Sequence, residues 1–341
     1  MVVKVSKPEI NVREKISELD KPSGTAGQAM LAAETPQEQF NLIGAGRRNM
    51  IINGNFSVSQ RGNHTSASGV SNGVYYLDRW KVHAGVAGTL QDTGYKVKVV
   101  ATSTASGILA ISQSIEDKNI HPHKGKVVTV SCKVTSNSSN ARIVIYADNW
   151  MALGSQNDVH SGGGNEETLS ATFTVPSNLS GILQVRVGFE NAASNGNPSV
   201  SANDYFEVSE VQLEVGDTAT PYEHKNARQE LSDCQRYCWQ LTKENSSESL
   251  IAVGFVYSTS SVITHLSYPQ VMRAIPSASV SSVSHFQVLA SGGGWQTLSS
   301  ISYGLMKNSA RIFCGISNAY TTGTGSELRI TAGHLLFDAE L

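Results

Sequence analysis

The chain has 341 residues, of which 40% are hydrophobic and only 16% charged, with a formal net charge of −2. The absence of a basic block argues against general nucleic-acid binding, and no apolar run approaches the roughly 20 residues of a membrane span, so membrane insertion is not expected. Ser, Thr, Asn and Gly take the place of charges, as in turn-rich β proteins.

The opening MVVKVSKPEINVREK lacks the apolar core of a signal peptide, so a chain made and assembled in a cytoplasm is expected. Residues 1–47 read as short helices. Val12, Ile16 and Leu19 share one helical face, and Asn11 with Glu14 is placed as a capping box. Lys21-Pro22-Ser23-Gly24 stops that helix, and Ala26–Glu34 is an Ala-rich second one. Thr35-Pro36-Gln37-Glu38 starts a third, ending at Gly44. None carries enough apolar surface for its own core, so the segment is expected to order against another protein, as an anchor.

Residues 48–225 spell a first β domain. Short segments rich in β-branched residues, from Met50–Ile52 to Tyr205–Glu214, are joined by turns such as Ser136-Asn137-Ser138-Ser139-Asn140. With no helical period between them, they predict a sandwich or jelly roll. Asn149–Glu166 is a polar loop suited to exposed contacts. In the last strand Phe206, Val208, Val211 and Leu213 alternate with polar residues, and one slip at Glu210 predicts a bulge.

From Asn226 the period becomes helical. Leu231, Cys234, Cys238 and Leu241 share a face, so residues 226–243 are expected to form a connecting helix. Residues 244–341 return to short strands with a thin core of their own. The expected class is therefore all-β: a jelly-roll β-sandwich, a short helix and a second small β domain, behind a short helical N-terminal anchor. Cys132, Cys234, Cys238 and Cys314 are expected to stay reduced, since a helical i,i+4 pair is poorly placed for an S–S bond.

Several stretches also share a likeness. VQLEVGDTATPYEH (Val211–His224) precedes ELSDCQRYCWQL (Glu230–Leu241). RRNMIINGNFSVSQRG (Arg47–Gly62) goes with YYLDRW (Tyr75–Trp80), and VMRAIPSASV spans Val271–Val280. Together they resemble tailed-bacteriophage fibre and other virion appendage proteins of marine phage type. In those, a carbohydrate-binding-module-like jelly roll ends in such a strand and a Cys-Gln-Arg-Tyr helix follows. The resemblance covers roughly residues 45–285. It implies an adhesive virion protein, assembled in the host cytoplasm: a tail fibre or receptor-binding protein contacting host surface polysaccharide, or a head fibre or capsid decoration protein. It also implies a homotrimer that docks on other virion proteins through residues 1–47.

No G-x-S-x-G elbow is present, and no feature pairs Asp78, Asp148, Asp158, Glu166, Glu190 or Asp204. A binding protein is expected, with polysaccharide depolymerase as the enzymatic alternative. Sugar binding needs aromatic platforms beside planar polar groups. Trp150, next to Asp148 and Asn149, and Trp295, in a Gly-rich turn, are the candidates; Trp80 reads as core. No cofactor is expected. Carbohydrate-binding jelly rolls often hold calcium near their first and last strands, and Asn53, Asn55, Asp204 and Glu207 lie on the matching segments. Here Asn replaces the usual carboxylate, which leaves little charge for a hard cation.

Overall fold

A computed structural model describes residues 25–32, 48–62, 64–147, 151–153, 159–190, 197–243, 249–290 and 293–341. The chain forms two compact units, Met1–Arg48 and Asn49–Leu341. In the first, helix α1 spans Thr25–Ala32, overlapping the Ala-rich stretch read as helical. The other helices expected there lie outside the described residues. Among the described residues no helix is long and apolar enough to cross a membrane.

The second unit opens with β1 (Ser68–Gly69), β2 (Tyr75–Leu77), β3 (Trp80–Ala84), β4 (Gly88–Asp92), β5 (Val97–Ala101), β6 (Ala105–Ser106) and β7 (Leu109–Ile115). A short helix α2 (Asp117–Ile120) and a 3-10 turn at His121–His123 follow. Then come β8 (Val127–Ser136), β9 (Ala141–Ala147), β10 (Met151–Leu153), β11 (Glu166–Thr174), β12 (Leu183–Phe189), β13 (Ser199–Val200) and β14 (Tyr205–Val215). They form two six-stranded sheets, β1-β4-β5-β14-β8-β11 and β10-β9-β12-β7-β3-β2, with β6 and β13 paired apart. This is the all-β sandwich that the turn spacing predicts.

Alternation decides what each strand gives to the core. Val97, Val99, Val128, Val130, Phe206 and Val208 from one sheet meet Trp80, Val82, Ile111, Ile143, Val185 and Val187 from the other. The bulge falls where the slip in period places it: Glu210 has φ 53° and the register shifts between Ser209 and Gln212. Met50–Ile52, expected as the first strand, is not one, although the Met50 N–H donates to the Leu213 carbonyl at 2.8 Å.

The remaining elements are helix α3 (Ala227–Gln235) and strands β15 (Cys238–Thr242), β16 (Ser249–Ser258), β17 (Ser261–Ser267), β18 (Ser277–Val280), β19 (Phe286–Ala290), β20 (Gln296–Thr297), β21 (Ser300–Leu305), β22 (Ser309–Gly315), β23 (Gly325–Ile330) and β24 (His334–Asp338). They build a seven-stranded sheet, β20-β19-β23-β16-β17-β22-β21, and a three-stranded one, β15-β24-β18, around a second core.

Here the expected helix 226–243 is corrected. Asn226 caps α3 by accepting the Gln229 N–H at 2.9 Å, but the helix stops at Gln235 and Cys238–Thr242 is strand. Pairing with β24 and stacking of Trp239 on Phe337, 5.8 Å between centroids, outweigh the helical spacing of Cys238 and Leu241. All four cysteines are buried free thiols. Burial raises the Cys234 and Cys238 thiols and pushes Cys314 up to about 12, so they pack as small apolar groups.

Candidate functional site

The stretches that carry the resemblance converge on the joint between the two cores. Arg79, 1% exposed, donates to the Glu340 carboxylate and, at 2.7 Å, to the Ser114 carbonyl; its guanidinium carbon lies 3.6 Å from the Tyr237 ring centroid. Arg61 pairs with Asp338 at 2.8 Å. Arg236 and Tyr237 both hold Glu116, at 2.8 and 2.9 Å. Arg273 donates to the Ala339 and Glu340 carbonyls, each at 2.9 Å. After β14, Glu214 accepts from the Thr220 N–H at 2.8 Å and hydroxyl at 2.7 Å, while Gln212 accepts the Glu223 N–H at 2.8 Å. These residue types hold the path of the chain. The joint is architecture.

A different set of polar residues lies on the outer face of the sheet that contains β12. Register places Lys81 beside Ser112, Ser112 beside Arg186, and Gln184 between Ser114 and Tyr146. Their neighbours along each strand point into the sandwich core, so this set points away from it. Ser112, Ser114, Gln184 and Arg186 are nevertheless buried. They form a ladder. The Tyr146 hydroxyl donates to Glu190 at 3.2 Å, and Glu190 pairs with Arg186 at 2.6 Å. Arg186 Nε donates to Gln184 at 2.7 Å, and the Gln184 amide donates to Ser114 Oγ at 3.1 Å. The Arg186 guanidinium also lies 4.5 Å from the Tyr146 ring centroid.

His83 lies beside the ladder, with Nε2 2.8 Å from Oγ of Ser112, the register neighbour of Arg186. Burial, then the charges of Arg186 and Lys81, hold its pKa down to about 3, so it is a neutral imidazole at ordinary pH. Beside it opens a cleft of about 300 Å³ lined by Asn72, His83, Ser106, Gly107, Arg186 and Asn197 among others. That volume is at the lower end for small-ligand sites. Its lining offers amides, hydroxyls, a guanidinium and a neutral imidazole, which suit a ligand rich in hydroxyl groups.

His83 and Asp78 also set opposite pH dependences. Burial pushes the Asp78 carboxyl from 3.8 to about 6 against its bonds from Gln60, so the folded state binds that proton more tightly and stability on this account falls as pH rises from 4 to 6. His83 falls from 6.5 to about 3, so the folded state refuses its proton and stability rises with pH across the same window. Relative to the wild type, Asp78→Asn is expected to gain stability between pH 4 and 6 and His83→Gln to lose it, read by thermal unfolding at several pH values. Shifts in the same direction would contradict these assignments.

Of the sequence candidates, half-buried Trp295 lines a separate cleft of about 400 Å³ with Gln296, Asn318 and Tyr320. The Arg329 guanidinium covers its ring at 3.7 Å and is held in turn by Gln287 at 2.7 Å. Trp150, Asn149 and Asp148 lie outside the described residues. Trp80 is core, as read, with Nε1 donating to the Asn53 carbonyl at 2.8 Å. Each of the calcium candidates accepts a hydrogen bond within the chain. Asn53 Oδ1 accepts the Val58 N–H at 3.0 Å and Asn55 Oδ1 the Ser57 N–H at 3.3 Å. Asp204 accepts the Ser201 N–H at 2.9 Å, and Glu207 the Thr93 hydroxyl at 2.7 Å. Among the described residues no three His, Cys, Asp or Glu side chains group as a metal site. Sequence reasoning missed His83, Gln184, Arg186 and Tyr146. Their signal was polar residues at alternate positions of otherwise apolar strands.

No protein-family model matches the chain, and no curated protein sequence matches it. Some solved structures are similar. A carbohydrate-binding module described under "CBM4 structure and function" is 16% identical over 48% of this chain and 98% of its own, with a TM-score of 0.30. The CBM22-1 xylan-binding domain of Xyn10C from Paenibacillus barcinonensis is 14% identical over 46% of this chain and 99% of its own, with a TM-score of 0.29. The CBM22-1–CBM22-2 tandem domain of the same protein is 12% identical over 83% of this chain and 98% of its own, with a TM-score of 0.27.

Proposed function

We propose that this is a glycan-binding, non-catalytic adhesive protein whose binding surface is the outer face carrying His83, Gln184 and Arg186. The observation that supports this most is the buried polar ladder from Tyr146 to Ser114 beside an open cleft. Planar polar groups that hold one another in place lose little freedom on meeting a ligand. Strands position them more tightly than loops would. Glu190 is committed to Arg186 and Tyr146, which suits orientation of a binding group rather than proton transfer. The sequence resemblance supports the finer reading: a virion appendage, as tail fibre or receptor-binding protein, or else a head fibre. In that reading the chain assembles as a homotrimer, and residues 1–47 dock it on the particle.

Labelled protein on an array of defined oligosaccharides is expected to bind at least one. Toward that glycan His83→Ala should weaken binding about tenfold or more, about 1.4 kcal/mol, while Trp295→Ala changes it less than about twofold. The reverse outcome would move the site to the Trp295 cleft. Release of reducing sugar from the bound polysaccharide would overturn the non-catalytic reading.

A further inference from the structure

The two sheets of the first core differ in charge. Strands β4, β5, β8, β11 and β14 carry Asp92, Glu166, Glu167, Glu207, Glu210 and Glu214 against Lys98 and Lys133. The six strands of the other sheet carry no Asp or Glu, and their Lys and Arg residues are Lys81, Arg142 and Arg186.

All three bases lie on the side that carries the polar ladder. Lys81 and Arg186 flank Ser112 in one row, and Arg142 ends the row that runs from His83 through Ala110 and Gly188. At about 4.8 Å per strand, Arg142 and His83 stand about 14 Å apart. The acids nearest these bases are already engaged. Glu190 is fully buried and pairs with Arg186, and Glu340 pairs with Arg79. Lys81 Nζ donates to the Leu341 carbonyl at 3.1 Å. Arg142 is half-buried; among the described residues its Nε has no hydrogen-bond partner, and Glu190 acts on it only through space. His83 reports the excess of bases: after burial, the charges of Arg186 and Lys81 keep a proton off it, and no acid offsets them.

We propose that the glycan bound on this face is an acidic one, whose carboxylate, sulfate or phosphate groups meet Arg142 and Lys81 while the cleft beside His83 takes hydroxyls of an adjoining sugar. A guanidinium matches such oxyanions with paired, charge-assisted hydrogen bonds. Complementary charge mainly sets which partner is accepted, and a neutral sugar would leave these bases without one. The amides and hydroxyl of Asn72, Asn197 and Ser106 in the cleft favour a sugar over an acidic peptide. The proposal rests on the reading above that this face binds glycan, and names the class.

The test is an array of defined oligosaccharides, half neutral and half acidic, probed with the full chain. Acidic members are expected to bind, and the best of them should bind about tenfold or more weakly once its carboxylates are reduced or its sulfates or phosphates removed. Its binding should also weaken as salt screens the charges. Arg142→Gln should keep the thermal transition of the folded chain and weaken that binding about fivefold or more, while Arg142→Lys, which keeps the charge, should lose less. Binding confined to neutral members, or unchanged by Arg142→Gln, overturns the acidic class and leaves the glycan reading standing. Polyglutamate binding as tightly as the best acidic glycan overturns it in favour of simple charge attraction. No binding to any member overturns the glycan reading itself.

Discussion

Replacing Glu340 by Ala is expected to lower the unfolding free energy by about 3–5 kcal/mol, the cost of leaving a buried charge without its partner. Glu340 accepts from both the Arg79 guanidinium and, at 3.0 Å, the Arg79 N–H, and Arg61 reaches it at 3.4 Å. Arg79 cannot shed its proton. In the variant its guanidinium keeps only the Ser114 carbonyl and the Tyr237 ring. The damage should spread, because Glu340 follows β24, the central strand of the sheet that closes the second core. The wild type is expected to show one urea transition and the variant two, as the two cores uncouple. Glu340→Gln keeps the shape and one acceptor and should lose less. Asp117→Ala, at an exposed site, should stay within about 0.5 kcal/mol. If Glu340→Ala also stays within that margin, the pair does not hold the joint.

Local pattern carried most of the fold. Alternation at Phe206, Val208, Val211 and Leu213 marked β14, and the slip at Glu210 marked its bulge, because both depend on residues adjacent in sequence. The joint was half legible. Asn226 signalled a helix start, but Cys238–Thr242 became strand through β24, almost a hundred residues on, and no local period reports such a partner. The candidate site was least legible. Alternation places Ser112, Gln184 and Arg186 only on the polar side of their strands; register, which no local pattern reports, sets them side by side. Trp295 read as an open platform because Arg329, which covers it, is distant in sequence.

Asn53 shows the same limit and gives the second large effect. It was read as a possible cation ligand, yet it is a structural residue. It is fully buried with φ 58°, a left-handed conformation that Asn tolerates better than Ala. Its Oδ1 takes the Val58 N–H, and its amide donates to the Val58 carbonyl at 2.8 Å and the Asp78 carbonyl at 3.0 Å. Asn53→Ala removes all three bonds and strains the backbone. Each buried group left unsatisfied costs about 1–3 kcal/mol, so a loss of about 3 kcal/mol or more is expected in urea unfolding. Asn53→Gly relieves the backbone but orphans the same groups, and should fall less. Asn53→Asp keeps the acceptor but buries a charge against the Asp78 carbonyl, and should fall further. Calcium or a chelator should leave the wild-type melting temperature unchanged. A rise with calcium that Asn53→Ala abolishes would return Asn53 to the role of ligand.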